Sequence, residues 1–307
     1  MHVVAAPGVG HVAGIRCSRK AWAAKLAYMT DRDIAVVTGT SSGIGLWTAV
    51  GLAQAGLLVV ATMRDVHHSE PLLEAAGSAA DRITVLPLDV TDHVAAGRLV
   101  EKVTADRGGI QVLVNNAGRG SVGTLEQLED TALQEQLDVN YLGVAALTRL
   151  VLPVMRAAGR GRIVTVTSVG GVVGQPFADA YCGAKFAVEG LMQSLAPVVA
   201  HFGIDVSIVE PAAVGSAFVR NTGIGDRQGD PDDPYDELLA AYLRRSEQAF
   251  AAAQDPREAA AVVVQAATTT TPAFRWQTSP GAAAFAGLSL TDLDGSKVLN
   301  QTKTWLD

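Results

Sequence analysis

Cysteine is almost missing from this chain: of its 307 residues only Cys17 and Cys182 carry a thiol. Two cysteines make no disulfide framework, and neither has a neighbour at metal-ligand spacing, so no metal site is expected. Aromatic residues are sparse, at 5%. Blocks of Lys and Arg are absent, and 24 basic against 31 acidic residues leave a net charge of −7. Because phosphate neutralisation dominates nucleic-acid binding, such a chain is a poor nucleic-acid binder. Also lacking is a continuous apolar run of the roughly 18 residues that a membrane-crossing helix needs. No transmembrane segment is therefore expected, and the reading is of a soluble, cytoplasmic protein. What the chain does have is apolar material, 49%, and 31 glycines. That supports a large core and excludes a disordered chain or a small cross-linked fold.

Pattern is lacking too at the beginning. A signal peptide places its charge before a compact apolar stretch, whereas Arg16, Arg19, Lys20 and Lys25 follow a stretch broken by Pro7, Gly8 and Gly10. Residues 1–30 read as a disordered extension, with Met29 a natural alternative start. The remainder, 31–307, reads as one domain.

From Asp33 onward short β-branched runs alternate with longer helical patterns. The runs are Ile34–Val37, Leu57–Thr62, Ile83–Leu88, Ile110–Val114, Arg162–Thr167 and Val206–Val209, with Ala273–Trp276 as a late edge strand. Nearly continuous apolar strands separated by helices predict an α/β fold, a doubly wound parallel sheet covered on both faces. Asp255-Pro256-Arg257-Glu258 combines a cap, an N-terminal proline and an early acid, and predicts a helix start.

Directly after the first strand stands Thr38-Gly39-Thr40-Ser41-Ser42-Gly43-Ile44-Gly45, opening a helix. Glycines let backbone approach a pyrophosphate, and a helix N-terminus offers free N–H groups and a positive dipole end. Position between strand and helix makes this a dinucleotide turn. The second strand ends in Ala61-Thr62-Met63-Arg64-Asp65. An acid there suits the ribose of NAD and an Arg suits the 2′-phosphate of NADP. With Arg64 first, NADP(H) is favoured and NAD(H) remains possible. Ser41 or Ser42 adds a hydroxyl, and Asp89, closing the third strand, is placed for the adenine amino group. Paired histidines at His67 and His68 read as solvent-exposed rather than metal-binding.

After the fourth strand comes the polar turn Asn115-Asn116-Ala117-Gly118, and after the fifth comes Ser168. Tyr181 and Lys185 follow at helical i, i+4 spacing on one face. A phenol titrates near pH ~10 and is a poor proton carrier at neutrality. A neighbouring ammonium favours the phenolate and draws that value down. Ser168 would hold a substrate oxygen while Tyr181 exchanges its proton. Cys182, beside Tyr181, reads as a small packing residue.

These residues together resemble the short-chain dehydrogenase/reductase family, over about residues 34–270. The resemblance implies a Rossmann fold and a catalytic set of Ser168, Tyr181 and Lys185, assisted by Asn140 in Leu137-Asp138-Val139-Asn140. It assigns the cofactor to Gly39, Ser41, Ser42, Gly43, Ile44, Gly45, Arg64, Asp89, Val90, Asn116, Ala117, Gly118, Tyr181, Lys185, Pro211 and Val214. Thr62–Asp65, Thr167–Phe177 and Tyr181–Leu191 further resemble the branch of estradiol 17β-dehydrogenase type 1 and photoreceptor retinol dehydrogenase. That implies a hydrophobic small-molecule substrate: a 17β-hydroxysteroid, or alternatively retinal/retinol or the carbonyl compounds of a general carbonyl reductase. A catalytically silent regulator is the remaining alternative, opposed by the intact Ser168, Tyr181 and Lys185. An apolar pocket would be lined by Val169, Val173, Phe177, Val214 and Phe218, beneath a substrate-lid region at about 212–255. Two departures stand out: Ala212 follows Pro211 where the family has glycine, and Ser216 replaces the usual threonine. The resemblance also implies a homodimer or homotetramer.

Overall fold

Residues 32–216 and 232–306 are described by a computed structural model. The expectations for residues 1–30 and for Phe218 lie outside the described residues. Seven strands form one sheet: β1 (Ile34–Thr38), β2 (Leu58–Met63), β3 (Ile83–Pro87), β4 (Val112–Asn115), β5 (Gly161–Val166), β6 (Ile204–Glu210) and β7 (Arg275–Gln277). All pair in parallel in the order β3-β2-β1-β4-β5-β6-β7. Parallel neighbours need crossovers, and these are supplied by helices on both faces.

Strand residues alternate between the two layers so formed. Ala35 and Val37 pack with α1 (Gly43–Gln54), α2 (Glu70–Ala76) and α8 (Pro256–Thr268). Ile34 and Val36 face α3 (His93–Arg107), α5 (Gly143–Ala158) and α6 (Asp179–Ala200). Every residue of β1 and β5 is buried, which is why these runs show no polar alternation. The remaining helices are α4 (Asp130–Leu137), α7 (Asp236–Ala251), α9 (Pro280–Leu290) and α10 (Ser296–Lys303). The start of α8 is as expected: Asp255 caps it by accepting from the Arg257 N–H at 2.7 Å, with Pro256 in the first turn.

Asp130–Ala158 is long and apolar enough, by length and composition, to cross a membrane. In the fold it is α4 and α5 joined by a π-helical turn, Asp138–Leu142, with α5 packed on β4 and β5. Its apolar character thus serves the sheet.

Every strand is offset by one or two residues from its run in the sequence, and two of the offsets are informative. β6 begins at Ile204, before Asp205, a charge that pattern alone rejects from a strand. Asp205 is accommodated because its carboxylate lies 3.4 Å from the fully buried Arg162 of β5, which also donates to the carbonyls of Ala266 and Thr269. β7 is displaced to Arg275–Gln277, and it is the sheet edge, as expected of a late strand.

The sheet's first strand is pinned by an ion pair. Asp33, 2% exposed, accepts two hydrogen bonds from the Arg160 guanidinium, at 2.6 and 3.0 Å. This fork joins the entry of β1 to the entry of β5. Breaking a buried pair leaves the partner charge uncompensated, but Arg160 is part-exposed and rehydrates. Asp33→Ala should therefore lower unfolding free energy by about 2 kcal/mol in urea denaturation; a loss below about 0.5 kcal/mol would contradict this role.

Candidate functional site

β1 is hydrogen-bonded to β2 on one side and to β4 on the other, so the chain direction of winding reverses between β1 and β4. A crevice opens there at the C-terminal strand ends. Into it projects the turn from Thr38 to Gly45. Gly39 and Gly43 have φ of +70° and +60°, conformations that L side chains rarely adopt. A Cβ on Gly45 would overlap the Gly39 carbonyl and the Asn116 amide, so the turn closes only with glycine. Ser42 caps α1 in extended backbone without a side-chain bond, and the first turn holds no acid. The N–H groups of that turn are thus left for an anion. Ser41 and Ser42 are exposed beside them, with Ile44 half-buried.

The turn is braced from β4. Asn116 donates its side-chain amide to the carbonyls of Thr38 (2.8 Å) and Gly39 (3.0 Å). The backbone N–H groups of Asn116 and Ala117 both donate to the Thr38 hydroxyl at 3.0 Å. Thr40, fully buried, donates to the Thr62 carbonyl at 3.1 Å and ties the turn to β2. Sequence reasoning missed Thr38 and Thr40; the only signal was two hydroxyls flanking the first glycine. Ser216 lies against Gly43, where an added Cβ would come within 2.9 Å of the serine Cβ.

Arg64 follows β2 and is exposed, and among the described residues it enters no salt bridge. Asp65 is engaged elsewhere: it accepts from the His67 N–H at 2.9 Å and lies 3.5 Å from His68 Nδ1. At the end of β3, one oxygen of the exposed Asp89 accepts from the Thr91 N–H (2.9 Å) and hydroxyl (2.7 Å). Partial burial opposes its ionisation, but the Thr91 bonds and the Arg64 charge prevail and hold the carboxyl below its ordinary value. Val90 packs against Gly143 at the head of α5. His67 and His68 are exposed, and the described residues contain no metal-ligating group of three. An anion-ready helix end, a cradle that any Cβ would fill and an exposed guanidinium fit a dinucleotide.

Ser168 follows β5 and caps a single 3₁₀ turn, Val169–Gly171, accepting from the Gly170 N–H at 2.9 Å. Tyr181 stands in the first turn of α6, and Lys185 one turn on. Lys185, 4% exposed, donates to the Val166 carbonyl at 3.1 Å, and its Nζ lies 5.9 Å from the Tyr181 ring centre. Asn140 occupies the π-helical turn, a distortion that often marks functional positions. Its side chain grips Arg119, donating to the carbonyl (2.8 Å) and accepting from the N–H (3.1 Å). Gly118 is where the groups converge: a Cβ there would lie 3.1 Å from Asn140 Oδ1 and 3.7 Å from Lys185 Nζ. Asn140, Ser168, Tyr181 and Lys185 are therefore gathered at one strand-end mouth.

Burial governs their charge states. It pushes the Tyr181 phenol above its ordinary value, with Ser168 pulling the other way and Cys182 and Tyr242 adding to the rise. The downward pull expected of Lys185 does not prevail over burial of the phenol, and the ammonium is itself pushed down to about 8 by desolvation, Glu189 opposing. Burial also raises the Cys182 thiol to about 11, so this cysteine is a packing residue rather than a nucleophile.

Of the expected pocket residues, Val169, Val173 and Phe177 are buried. Val169 donates its N–H to the Pro211 carbonyl at 3.0 Å, tying the turn after β5 to the turn after β6. Val173 packs with Val172 and with Ala286 of α9. Phe177 has φ of +58°, and its ring lies 5.5 Å from that of Tyr242 on α7. Tyr242, which the sequence did not single out, thereby brings α7 beside Tyr181. Val214 pairs with Gln254, next to a cavity of about 800 Å³ lined by Ala212, Ala213, Gln254 and Thr278.

Comparison with known proteins matches these features. Residues 33–226 fit the family model for short chain dehydrogenase. The chain is 39% identical to 17-beta-hydroxysteroid dehydrogenase type 1 of Mus musculus, over 87% of this chain and 79% of the mouse protein. To retinol dehydrogenase 8 of Homo sapiens it is 35% identical, over 87% and 88%. The crystal structure of a short-chain dehydrogenase from Streptomyces avermitilis superposes with a TM-score of 0.73 at 32% identity, covering 89% of this chain and 96% of the other. The metagenomic short-chain oxidoreductase in complex with NADP gives 0.64 at 27%, covering 80% and 96%. The chain belongs to the short-chain dehydrogenase family.

Proposed function

We propose that this oxidoreductase interconverts a secondary alcohol and a ketone on a bulky hydrophobic substrate, of which a 17β-hydroxysteroid is the leading case, with NADP(H) preferred over NAD(H). The observation that carries the reading is the meeting of Ser168, Tyr181, Lys185 and Asn140 beside the Gly39–Gly45 turn. The bound dinucleotide supplies hydride exchange at its nicotinamide ring. Ser168 holds the substrate oxygen. Tyr181 donates its proton to a ketone oxygen or accepts one from an alcohol. Its upward-shifted phenol stays protonated at neutrality, the form that ketone reduction needs. Lys185 contributes a cation beside the phenol and toward the ribose, while Asn140 fixes the loop at Arg119. Nicotinamide-side contacts fall to Pro211 and Val214.

Support for a steroid is the mouse 17-beta-hydroxysteroid dehydrogenase and the apolar surroundings of Val169 and Phe177. The relative named retinol dehydrogenase 8 supports retinal as the second reading. Support for NADP is the exposed Arg64, with Asp65 engaged by its own turn. Phe186 and Val198, exposed on α6, support a homo-oligomer, and a cytoplasmic location completes the proposal.

On the preferred carbonyl substrate from a panel of estrone, androstenedione, retinal and small ketones, Tyr181→Phe should lower kcat by about 10³-fold or more while cofactor affinity is kept. Residual turnover above a tenth of wild type would remove Tyr181 from the proton step, and a panel led by small ketones would refute the steroid assignment. Arg64→Asp should weaken NADP binding at least tenfold and leave NAD binding equal or tighter, read by titration of each cofactor. Unchanged NADP affinity would refute the phosphate role of Arg64.

A further inference from the structure

Beneath the catalytic residues lies a charged cluster that the proton and hydride steps do not use. Glu189 is one helical turn beyond Lys185 on α6 and is 4% exposed. Its Oε2 accepts from Arg275 of β7 at 2.6 Å. The same Arg275 nitrogen bonds Glu210, which ends β6 fully buried and also accepts from Gln277 at 2.7 Å. On its other side Glu189 seats the Ser168 turn: a Cβ on Gly171 would meet the glutamate Cγ at 2.8 Å and Oε1 at 3.1 Å. Glu189 thus touches the turn that carries Ser168 and stands at i+4 from Lys185.

Four buried or part-buried ionisable groups from three elements meet here, two cations and two carboxylates. Fully ionised, the set is neutral. The titratable groups beside Lys185 on its own helix are Tyr181, whose ring centre lies 5.9 Å from Nζ, and Glu189 one turn on. Glu210 from β6 and Arg275 from β7 are coupled to Lys185 through Glu189. On the opposite side, Asp138 of the π-helical turn is bonded by Gln134 and Glu135 of α4 by Arg119. Glu189 is the acid at i+4 from Lys185 along the helix face, and Arg275 couples it to Glu210.

Resting on the reading of Lys185 as a working cation, we propose that Glu189 is a positioning residue: with Arg275 and Glu210 it keeps the buried Lys185 protonated and seats the Ser168 turn. Burial pushes the Glu189 carboxyl up to about 7, with Thr167 opposing, Glu210 adding to the rise and Arg275 opposing it. Lys185, pushed down to about 8, would fall further without the glutamate. The device matters because a neutral Lys185 offers the phenol and the ribose no charge.

The test is the titration of Lys185, read on the protein without cofactor by the ¹³C shift of its Cε, assigned with Lys185→Met. Glu189→Gln should lower the midpoint by about one unit or more, a tenfold loss of proton affinity. The alkaline limb of kcat for ketone reduction should move with it, while KM for the ketone changes little. Glu189→Asp should recover part of the shift. Glu210→Gln, which removes the other carboxylate and keeps the fold testable if Glu189→Gln does not, should move the midpoint the same way by less. A midpoint and limb that stay at wild-type values, even with lowered stability, would reduce Glu189 to a structural residue and overturn the proposal. The NMR readout needs no turnover, so a wild type inert toward every alcohol and ketone would sink the oxidoreductase reading without deciding this one.

Discussion

At the crevice between β1 and β4, four hydrogen bonds join Thr38 and Gly39 to Asn116 and Ala117. Each contributes a modest net stabilisation of about 1 kcal/mol, and leaving any of these part-buried groups unpaired would cost about as much or more. Their structural consequence is larger. They draw the phosphate turn so close to the end of β4 that a Cβ on Gly39 would stand 2.8 Å from the Ala117 Cα. The same four-residue junction leads into Gly118, against which Asn140 and Lys185 are placed. The Gly39–Gly45 turn and the side chains of Asn140 and Lys185 thus share one rigid frame, set where the strand order reverses.

The site built on that frame is polar chemistry held in dry surroundings. Asn140 and Glu210 are fully buried, and Lys185 and Glu189 nearly so. Such groups are tolerated only when hydrogen-bonded or charge-paired, and each here has a partner: Arg119 for Asn140, the Val166 carbonyl for Lys185, Arg275 for the two glutamates. Low local polarity also strengthens every interaction among them. A phenol pushed up and an ammonium pushed down are driven apart in proton affinity, so near neutrality the phenol holds its proton while the ammonium stays charged.

How much of this was legible in the chain depended on sequence distance. Gly39, Gly43 and Gly45 could be read because their spacing answers a local need, positive φ and close approach. Tyr181 and Lys185 could be read because helical geometry puts i and i+4 on one face. The central strands were visible as β-branched runs because both sheet faces are covered there. What stayed hidden came from pairings across the fold. Asp205 disguised the start of β6 because its partner Arg162 is 43 residues away. Asn116 was expected at the cofactor, yet its amide is committed to the turn across 78 residues. Glu189, Glu210 and Arg275 carry no local signal, and only the alignment of α6, β6 and β7 brings them together. Tyr242 reaches the neighbourhood of Tyr181 through Phe177, whose positive φ no local pattern announced.

The central claim is that the crevice moves a hydride between a nicotinamide and a carbonyl carbon. It is tested most directly by supplying a ketone substrate with reduced NADP deuterated at nicotinamide C4, each face labelled in turn. The account predicts an alcohol carrying deuterium on its carbinol carbon from one of the two labelled faces. Alcohol formed without deuterium from either face, or no alcohol from any ketone that binds, would contradict it.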